Sequence, residues 1–253
     1  MITANIPTWM TSLYDDVFAD VMLDRQPGAD EVQFLLDTLR LGAGNQVLDQ
    51  GCGVGSMAIA LAARGIHVTG IDIIPAYVAR ARAGATGLPA SFHEADACGY
   101  VTSTPIDAAY SWWTSWGHAG TDDANLAMLE RVYESLRPGG VFMLDTMNVA
   151  SILRLYQPVL IRHREVPSRG GQVTIRRDCG IDFMRGEIST LWRFQLPDGS
   201  TTATNTTMRM YMPHDIVAML RAAGFADIQL FGGIAGEPLE MDSHRVVVVA
   251  IKP

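Results

Sequence analysis

One short stretch narrows the folds open to this chain more than any other: Val47-Leu48-Asp49-Gln50-Gly51-Cys52-Gly53-Val54-Gly55. Apolar residues run into three glycines at alternate positions, and residues 56–64 then carry helical chemistry. A strand, a glycine turn and a helix in that order predict the ligand-binding loop of a βαβ unit. Glycine allows the close backbone approach and positive φ that such a turn needs. Asp72 ends the next apolar run, 21 residues after Gly51. An acid at that distance is placed to accept hydrogen bonds from both hydroxyls of a ribose. Gly53-Val54-Gly55-Ser56-Met57-Ala58 also fits the G-x-G-x-x-A pattern of a dinucleotide loop. Asp49 argues against that reading, because a carboxylate just ahead of the glycines repels a pyrophosphate and attracts a cationic amino-acid ligand.

The chain around this loop alternates strands and helices. Strands are expected over residues 46–49, 67–72, 90–94, 106–111 and 141–145, and helices over 56–64, 76–83 and 123–136. This order predicts a parallel sheet with right-handed crossovers. The last of those helices places Leu126, Leu129, Val132, Tyr133 and Leu136 on one face, and Pro138-Gly139-Gly140 is expected to end it. Two helices are expected ahead of the core, over residues 8–23 and 30–41. After residue 148 the chemistry turns to β-rich runs over 159–165, 172–182, 187–195 and 200–211, separated by turns such as Pro197-Asp198-Gly199-Ser200. A helix over 213–223, a strand over 227–231 and a terminal strand over 245–251 complete the chain. The expected organisation is a single α/β domain: N-terminal lid helices (1–41), a cofactor-binding core (42–148), an antiparallel β insertion (149–212), and a C-terminal helix and strands of the core (213–253). The sheet is expected to be Rossmann-like, mostly parallel and seven-stranded, with helices on both faces.

Composition removes several classes of partner. Lys and Arg number 19 against 27 Asp and Glu, a net charge of −8, and no basic cluster stands out. Binding to nucleic acid through phosphate neutralisation asks for the opposite sign. The longest uncharged stretches run to 14 residues, short of the roughly 20 apolar residues of a membrane-spanning helix. Residues 1–5 carry no basic region leading into an apolar core, so no secretory signal is expected. Cys52, Cys98 and Cys179 form no CxxC pair, which suits free thiols in a reducing cytoplasm. Neither nucleic acid nor membrane is expected as a partner.

The ordered set of motifs resembles the class I S-adenosylmethionine-dependent methyltransferases. Asp49-Gln50-Gly51-Cys52-Gly53-Val54-Gly55 resembles their first motif (D/E-x-G-x-G-x-G), with Gln50 departing from the usual aliphatic residue. Val68-Thr69-Gly70-Ile71-Asp72 resembles the acidic ribose motif, Phe92-His93-Glu94-Ala95-Asp96-Ala97 the adenine-edge motif, and Leu136-Arg137-Pro138-Gly139-Gly140 the segment before strand five. The resemblance implies S-adenosylmethionine as cofactor. Asp49, Gly51, Cys52 and Gly53 would lie around its methionine portion, Asp72 and Ile73 at the ribose, and Asp96 and Ala97 at the adenine. Cys52 is read as a small residue filling a tight turn.

Ligands of an open α/β sheet bind beyond the carboxyl ends of its strands, which directs attention to Ser111-Trp112-Trp113-Thr114-Ser115-Trp116-Gly117-His118. Trp112, Trp113 and Trp116 are candidates for an aromatic wall around a small-molecule acceptor, with packing of the strand end as the alternative. His118 is the candidate general base. The Ser-x-Gly-His arrangement resembles small-molecule N-methyltransferases, including amino-sugar dimethylating enzymes. Tyr14 resembles the tyrosine on their N-terminal lid helix, which implies a place near cofactor and acceptor. Trp9, Arg209 and Tyr211 are further substrate candidates. Asp145 and Asn148 follow strand five where catechol-type enzymes place a metal, but no companion carboxylate, HExxH or cysteine cluster accompanies them, so no metal is expected. The expected reaction is methyl transfer to a small molecule of secondary metabolism, on an amine nitrogen. O- or C-methylation of an aromatic or isoprenoid metabolite and a non-catalytic cofactor-binding protein are the alternatives. The late β-rich segment is expected either to cover the acceptor side or to form a homodimer interface.

Overall fold

A computed structural model of the chain describes residues 16–253. Helical turns at Asp16–Phe18 and Ala19–Leu23 lead into α1 (Ala29–Thr38). The core then runs β1 (Gln46–Gln50), α2 (Ser56–Ala62), β2 (His67–Asp72), α3 (Pro75–Gly84), β3 (Ala90–Glu94), β4 (Ile106–Ser111), α4 (Asp122–Ser135) and β5 (Leu136–Met147). After α5 (Val149–Arg154) come β6 (Val159–Val166), β7 (Gly171–Asp182), β8 (Glu187–Gln195) and β9 (Thr201–Arg209), then α6 (Pro213–Ala222), β10 (Ala226–Phe231) and β11 (Arg245–Ile251).

Seven strands form one sheet in the order β10-β11-β5-β4-β1-β2-β3, and β6 to β9 form a second, antiparallel sheet. β1 to β5 pair in parallel, whereas β11 runs antiparallel to both β5 and β10. The chain moves outward from β1 to β3 and then returns to lay β4 on the other side of β1. That reversal opens a crevice at the carboxyl ends of β1 and β4, where an open α/β sheet receives its ligand.

Both faces of the large sheet are dry. Leu35, Leu61, Val78 and Tyr110 centre one layer with α1, α2 and α3, while Leu129, Phe142, Leu220 and Phe225 centre the other with α4 and α6. Burial on both faces explains why β11 reads as a continuous apolar run, with Val246, Val247, Val248 and Ala250 all in the core. Gly55, at φ +81°, starts α2 where an added Cβ would lie 2.8 Å from the Ala81 Cβ and 3.1 Å from the Phe92 ring. Only glycine lets α2 pack this closely against α3 and β3.

One expectation about the core needs adjustment. The segment Pro138-Gly139-Gly140 does not trail a helix; α4 stops at Ser135 and β5 is already extended from Leu136. The last strand is buried as expected, yet it enters the sheet antiparallel, an orientation that burial pattern alone leaves open. The second sheet packs Val173, Ile175 and Phe194 against Val17, Phe18 and Val21 of the N-terminal turns, with Phe18 edge-on to Trp192 at 5.7 Å. No helix among the described residues is long and apolar enough to cross a membrane.

Candidate active site

A cavity of about 1040 Å³ opens at the crevice between β1 and β4. That is at the upper end of ordinary ligand sites, enough for two small molecules side by side. At one end lie Asp49, Gly51, Cys52, Gly53, Asp72, Ile73, Asp96 and Ala97; at the other lie Trp112, Trp113, His118 and one face of the second sheet.

The glycine loop owes its shape to contacts that a side chain would break. Gly51 has φ +79°, and a Cβ there would come within 2.5 Å of the Ser115 Cβ. The Ser115 hydroxyl stands 3.1 Å from the Gly51 carbonyl and 3.1 Å from that of Trp112, which ties the loop after β1 to the loop after β4. Gly53, at φ +55°, donates its N–H to Asp72 Oδ2 at 2.8 Å, and Ile74 donates to Asp72 Oδ1 at 2.9 Å. The Ile73 backbone also bears on this carboxylate, which retains acceptor capacity for a ligand hydroxyl. Burial raises the Asp72 pKa, and those backbone donors act against the rise.

Asp49 is 3% exposed and stands opposite Tyr110 in the β1–β4 register, with the Tyr110 phenol facing its carboxyl. Burial pushes the Asp49 pKa up to about 7; repulsion from Asp72 adds to the rise and Tyr110 opposes it. The acid is poised between neutral and charged until a cation arrives. Asp96 accepts from the Cys98 N–H at 2.9 Å, holding the loop after β3 open along the cavity wall. Cys52 lies beneath the loop: its Sγ would be 3.0 Å from a Cβ on Gly70, and burial beside two acids raises its thiol pKa well above normal. A thiol so unwilling to ionise is a packing residue. Gln50 turns its amide inward and donates to the Met128 carbonyl at 3.0 Å, a core contact that accounts for its departure from an aliphatic residue.

The loop after β4 separates its tryptophans. Trp112 is buried at the cavity wall, and Trp113 is 39% exposed there. Trp113 and Thr114 both have φ +63°, an unusual conformation for side-chain-bearing residues. Asp145 holds it: Oδ2 accepts the Trp113 N–H at 2.9 Å and the backbone carbonyl accepts Thr114 N–H at 3.0 Å. Arg245 in turn pairs with Asp145, its Nε donating at 2.7 Å. The Arg25 guanidinium lies over the Trp113 ring at 4.0 Å and pairs with Glu31 at 2.6 Å. His118 sits in the cavity with Nδ1 3.3 Å from the Thr207 carbonyl. A carbonyl only accepts, so the Thr207 contact calls for a protonated Nδ1, and the Thr114 backbone also bears on the ring. Burial lowers the His118 pKa, against the backbone of Thr207 and Thr114, so the imidazole is neutral at pH 7.

Several candidates fall elsewhere. Trp116 is 1% exposed, donates Nε1–H to the Asn125 carbonyl at 2.9 Å and packs on Tyr211 at 4.6 Å between centroids. It belongs to the core. Tyr211 donates to Asp122 Oδ1 at 2.6 Å, and Arg209 pairs with the same Asp122 at 2.8 Å. These contacts turn both away from the main cavity, so Trp116, Arg209 and Tyr211 are corrected from substrate candidates to structural residues. Trp9 and Tyr14 lie outside the described residues. Asp145 is committed to Arg245 and to the Trp113 loop, and Asn148 caps α5 through the Ala150 N–H at 3.1 Å. Among the described residues no group of three or more metal-type ligands gathers. Tyr110, Ser115 and Arg245 escaped sequence reasoning, and Asp145 was weighed there only as a metal ligand, because each acts through a partner distant in the chain.

Comparison with known proteins fits this geometry. A family model described as a methyltransferase domain matches residues 47–140. The chain is 38% identical over 120 residues to the S-adenosyl-L-methionine-dependent Diels-Alderase iccD of Talaromyces variabilis, a match covering 44% of this chain and 39% of that protein. The chain spans about two fifths of the length of the curated relatives it matches first. Among solved structures, the CcbJ methyltransferase from Streptomyces caelestis superposes with a TM-score of 0.81 at 18% identity, covering 96% of this chain and 98% of that one. The sugar N-methyltransferase KedS8 from Streptoalloteichus sp. superposes with a TM-score of 0.71 at 19% identity, covering 88% and 87%. The glycine cradle, the acids along it and the strand order suit a cationic nucleoside cofactor. Residues 47–140 match a methyltransferase domain, and the chain shares its fold with solved methyltransferases.

Proposed function

We propose that the protein transfers a methyl group from S-adenosylmethionine to an amine nitrogen of a small molecule. The observation that carries this reading is one continuous cavity, lined at one end by Asp49, Asp72 and Asp96 and at the other by His118 among aromatic and apolar side chains. When bound, S-adenosylmethionine supplies a methyl group on a sulfonium, which an in-line nucleophile displaces. The residues would hold it by charge and shape: ionised Asp49 toward the cationic amino-acid end, Asp72 at the ribose hydroxyls, Asp96 at the adenine edge. Gly51 and Gly53 bring the backbone close. The protein's remaining work is alignment, and alignment supplies much of the acceleration in a displacement of this kind.

An amine becomes nucleophilic only when its lone pair is exposed, so an ammonium must first lose its proton. His118 is neutral and buried in the cavity, the state a general base needs. Trp112 and Trp113 restrict water on the acceptor side, which strengthens the local electrostatics. The likeness to a sugar N-methyltransferase supports nitrogen as the acceptor atom.

A second reading follows from the relative named as an S-adenosyl-L-methionine-dependent Diels-Alderase: the same cavity rearranges a bound substrate while the cofactor stays intact. One experiment separates the two. Purified protein is incubated with methyl-labelled S-adenosylmethionine and panels of amines, phenols and polyenes, and products are read by label and mass. Label on an amine with release of S-adenosylhomocysteine supports the proposal. Label on oxygen or carbon only, or isomerisation without label, overturns it.

A further inference from the structure

The second sheet contributes a whole wall to the cavity. Leu160 on β6, Arg177 and Cys179 on β7, Ile188 and Trp192 on β8, and Met208 on β9 all face the same way, as the strand register requires. Five of these six are apolar, aromatic or weakly polar. Arg177 is the exception. It stands between Leu160 and Trp192 in the register, with its guanidinium 5.1 Å from the Trp192 ring centroid.

Its charge has no acid to meet. The other arginines lining the cavity are neutralised, Arg25 by Glu31 and Arg245 by Asp145. No carboxylate among the described residues pairs with Arg177, and the like-charged Arg162 acts on it. Burial lowers its pKa, yet a guanidinium keeps its proton at neutral pH. A half-buried cation facing a ligand cavity without an anion is costly, and a ligand anion relieves that cost. The acids of the cavity, Asp49 on β1, Asp72 on β2, Asp96 after β3 and Asp123 on α4, all belong to the large-sheet layer, so the second sheet presents the opposite sign.

We propose that Arg177 binds a carboxylate on the acceptor, so that the substrate is an anionic small molecule whose apolar or aromatic body lies along Trp192 and Leu160. The planar guanidinium accepts a carboxylate edge-on through two parallel N–H donors. Stacking on Trp192 leaves that edge available while holding the plane. The proposal rests on the reading that this end of the cavity receives the acceptor, and it specifies the acceptor's charge.

The test uses the full chain loaded with S-adenosylhomocysteine, and calorimetry with matched probes: 4-aminobenzoate, phenylalanine and further amino carboxylates, each beside its methyl ester. The same pairs are offered for transfer from labelled S-adenosylmethionine. The acids are expected to bind or react better than their esters by about 10- to 100-fold, the effect of a charge-assisted pair. Arg177→Met should erase that ratio, and Arg177→Lys should retain part of it. Affinity for S-adenosylhomocysteine should be unchanged in both, which also shows that the variants fold. Equal behaviour of acids and esters in the wild type overturns the proposal while leaving methyl transfer intact. Arg177-dependent binding of acids without any transfer keeps the anion site and overturns the transfer reading. Loss of S-adenosylhomocysteine affinity in Arg177→Met assigns the residue to the cofactor's own carboxylate and overturns the proposal, as does failure of every probe to bind or react.

Discussion

The Asp72 carboxylate accepts the backbone N–H of Gly53 at 2.8 Å, so the acid at the end of β2 shapes the glycine loop after β1 as well as facing the cavity. Its second oxygen is held by Ile74 at 2.9 Å. A residue with both duties should show two losses when truncated. Asp72→Ala is expected to weaken S-adenosylhomocysteine binding by about 10- to 100-fold and to lower the melting temperature by several degrees, because buried backbone donors lose their acceptor. Asp72→Asn keeps one acceptor oxygen and should recover part of the stability but little of the affinity. Calorimetry and thermal melting on the two variants read the losses separately; unchanged affinity in both would remove Asp72 from the ribose site.

Asp49 is expected to make cofactor binding sensitive to pH. Its carboxyl is raised to about 7 in the ligand-free protein, and only the ionised form attracts a cationic amino group. Affinity for S-adenosylhomocysteine should therefore fall as pH drops below about 7, approaching tenfold per unit for one linked proton. Asp49→Asn should flatten this dependence. The same shift acts on the fold in the opposite sense: a carboxyl whose folded pKa lies above its ordinary value of 3.8 costs stability as pH rises from there toward 7. Without ligand, Asp49→Asn should melt above the wild type at pH 8, with a smaller gap at pH 6. A pH-independent binding isotherm in the wild type would contradict the assignment.

Local spacing explains why the sequence gathers the glycines and acids of the cavity correctly but only half of its aromatic wall. Asp49, Gly51, Gly53 and Asp72 are placed by two adjacent strands and one turn, so their order along the chain is nearly their order in space. The tryptophans are different. Trp112, Trp113 and Trp116 have the same composition and neighbourhood, and what divides them is remote: Asp145 bends the backbone at Trp113, and Asn125 with Tyr211 draws Trp116 into the core. Arg209 and Tyr211 look available until Asp122, 87 and 89 residues earlier, is found beside them. The isolation of Arg177 is likewise a property of distant segments, since a missing ion pair leaves no local pattern. Strand direction at β11 belongs to the same group, because a run of valines is compatible with either orientation.

His118 should separate catalysis from binding. As the base near the acceptor, its removal is expected to lower turnover by about 10²- to 10⁴-fold, with S-adenosylhomocysteine affinity nearly unchanged. Its pKa lies below the usual 6.5 because the ring is buried, so the neutral, proton-accepting form persists through pH 7 to 9. The rate of the wild type should be flat with respect to His118 over that range and decline only on the acid side, below pH 6.5. His118→Gln keeps a donor for the Thr207 carbonyl and removes the base, so it should match His118→Ala in rate while melting closer to the wild type. A normal rate in either variant would assign proton removal to water or to the acceptor itself.

Trp113 and Trp116 of the β4 loop should fail in different ways. Trp116 is fully enclosed, with its indole N–H on the Asn125 carbonyl and its ring on Tyr211. Trp116→Ala leaves a large cavity and an unpaired carbonyl, and is expected to cost roughly 3–5 kcal/mol, a fall of about 10 °C or more in melting temperature. Trp113 is half exposed and its backbone, not its ring, carries the bonds to Asp145. Trp113→Ala should therefore melt within about 3 °C of the wild type, since surface truncations away from the core are mild. Its loss removes the ring beneath Arg25 and opens the cavity wall, so kcat/KM for the methyl acceptor should drop by about tenfold through loss of positioning. The pair is decided by measuring melting and kinetics on the same samples. If Trp113→Ala proves as unstable as Trp116→Ala, the loop is a packing element throughout and its exposed indole has no part in the site.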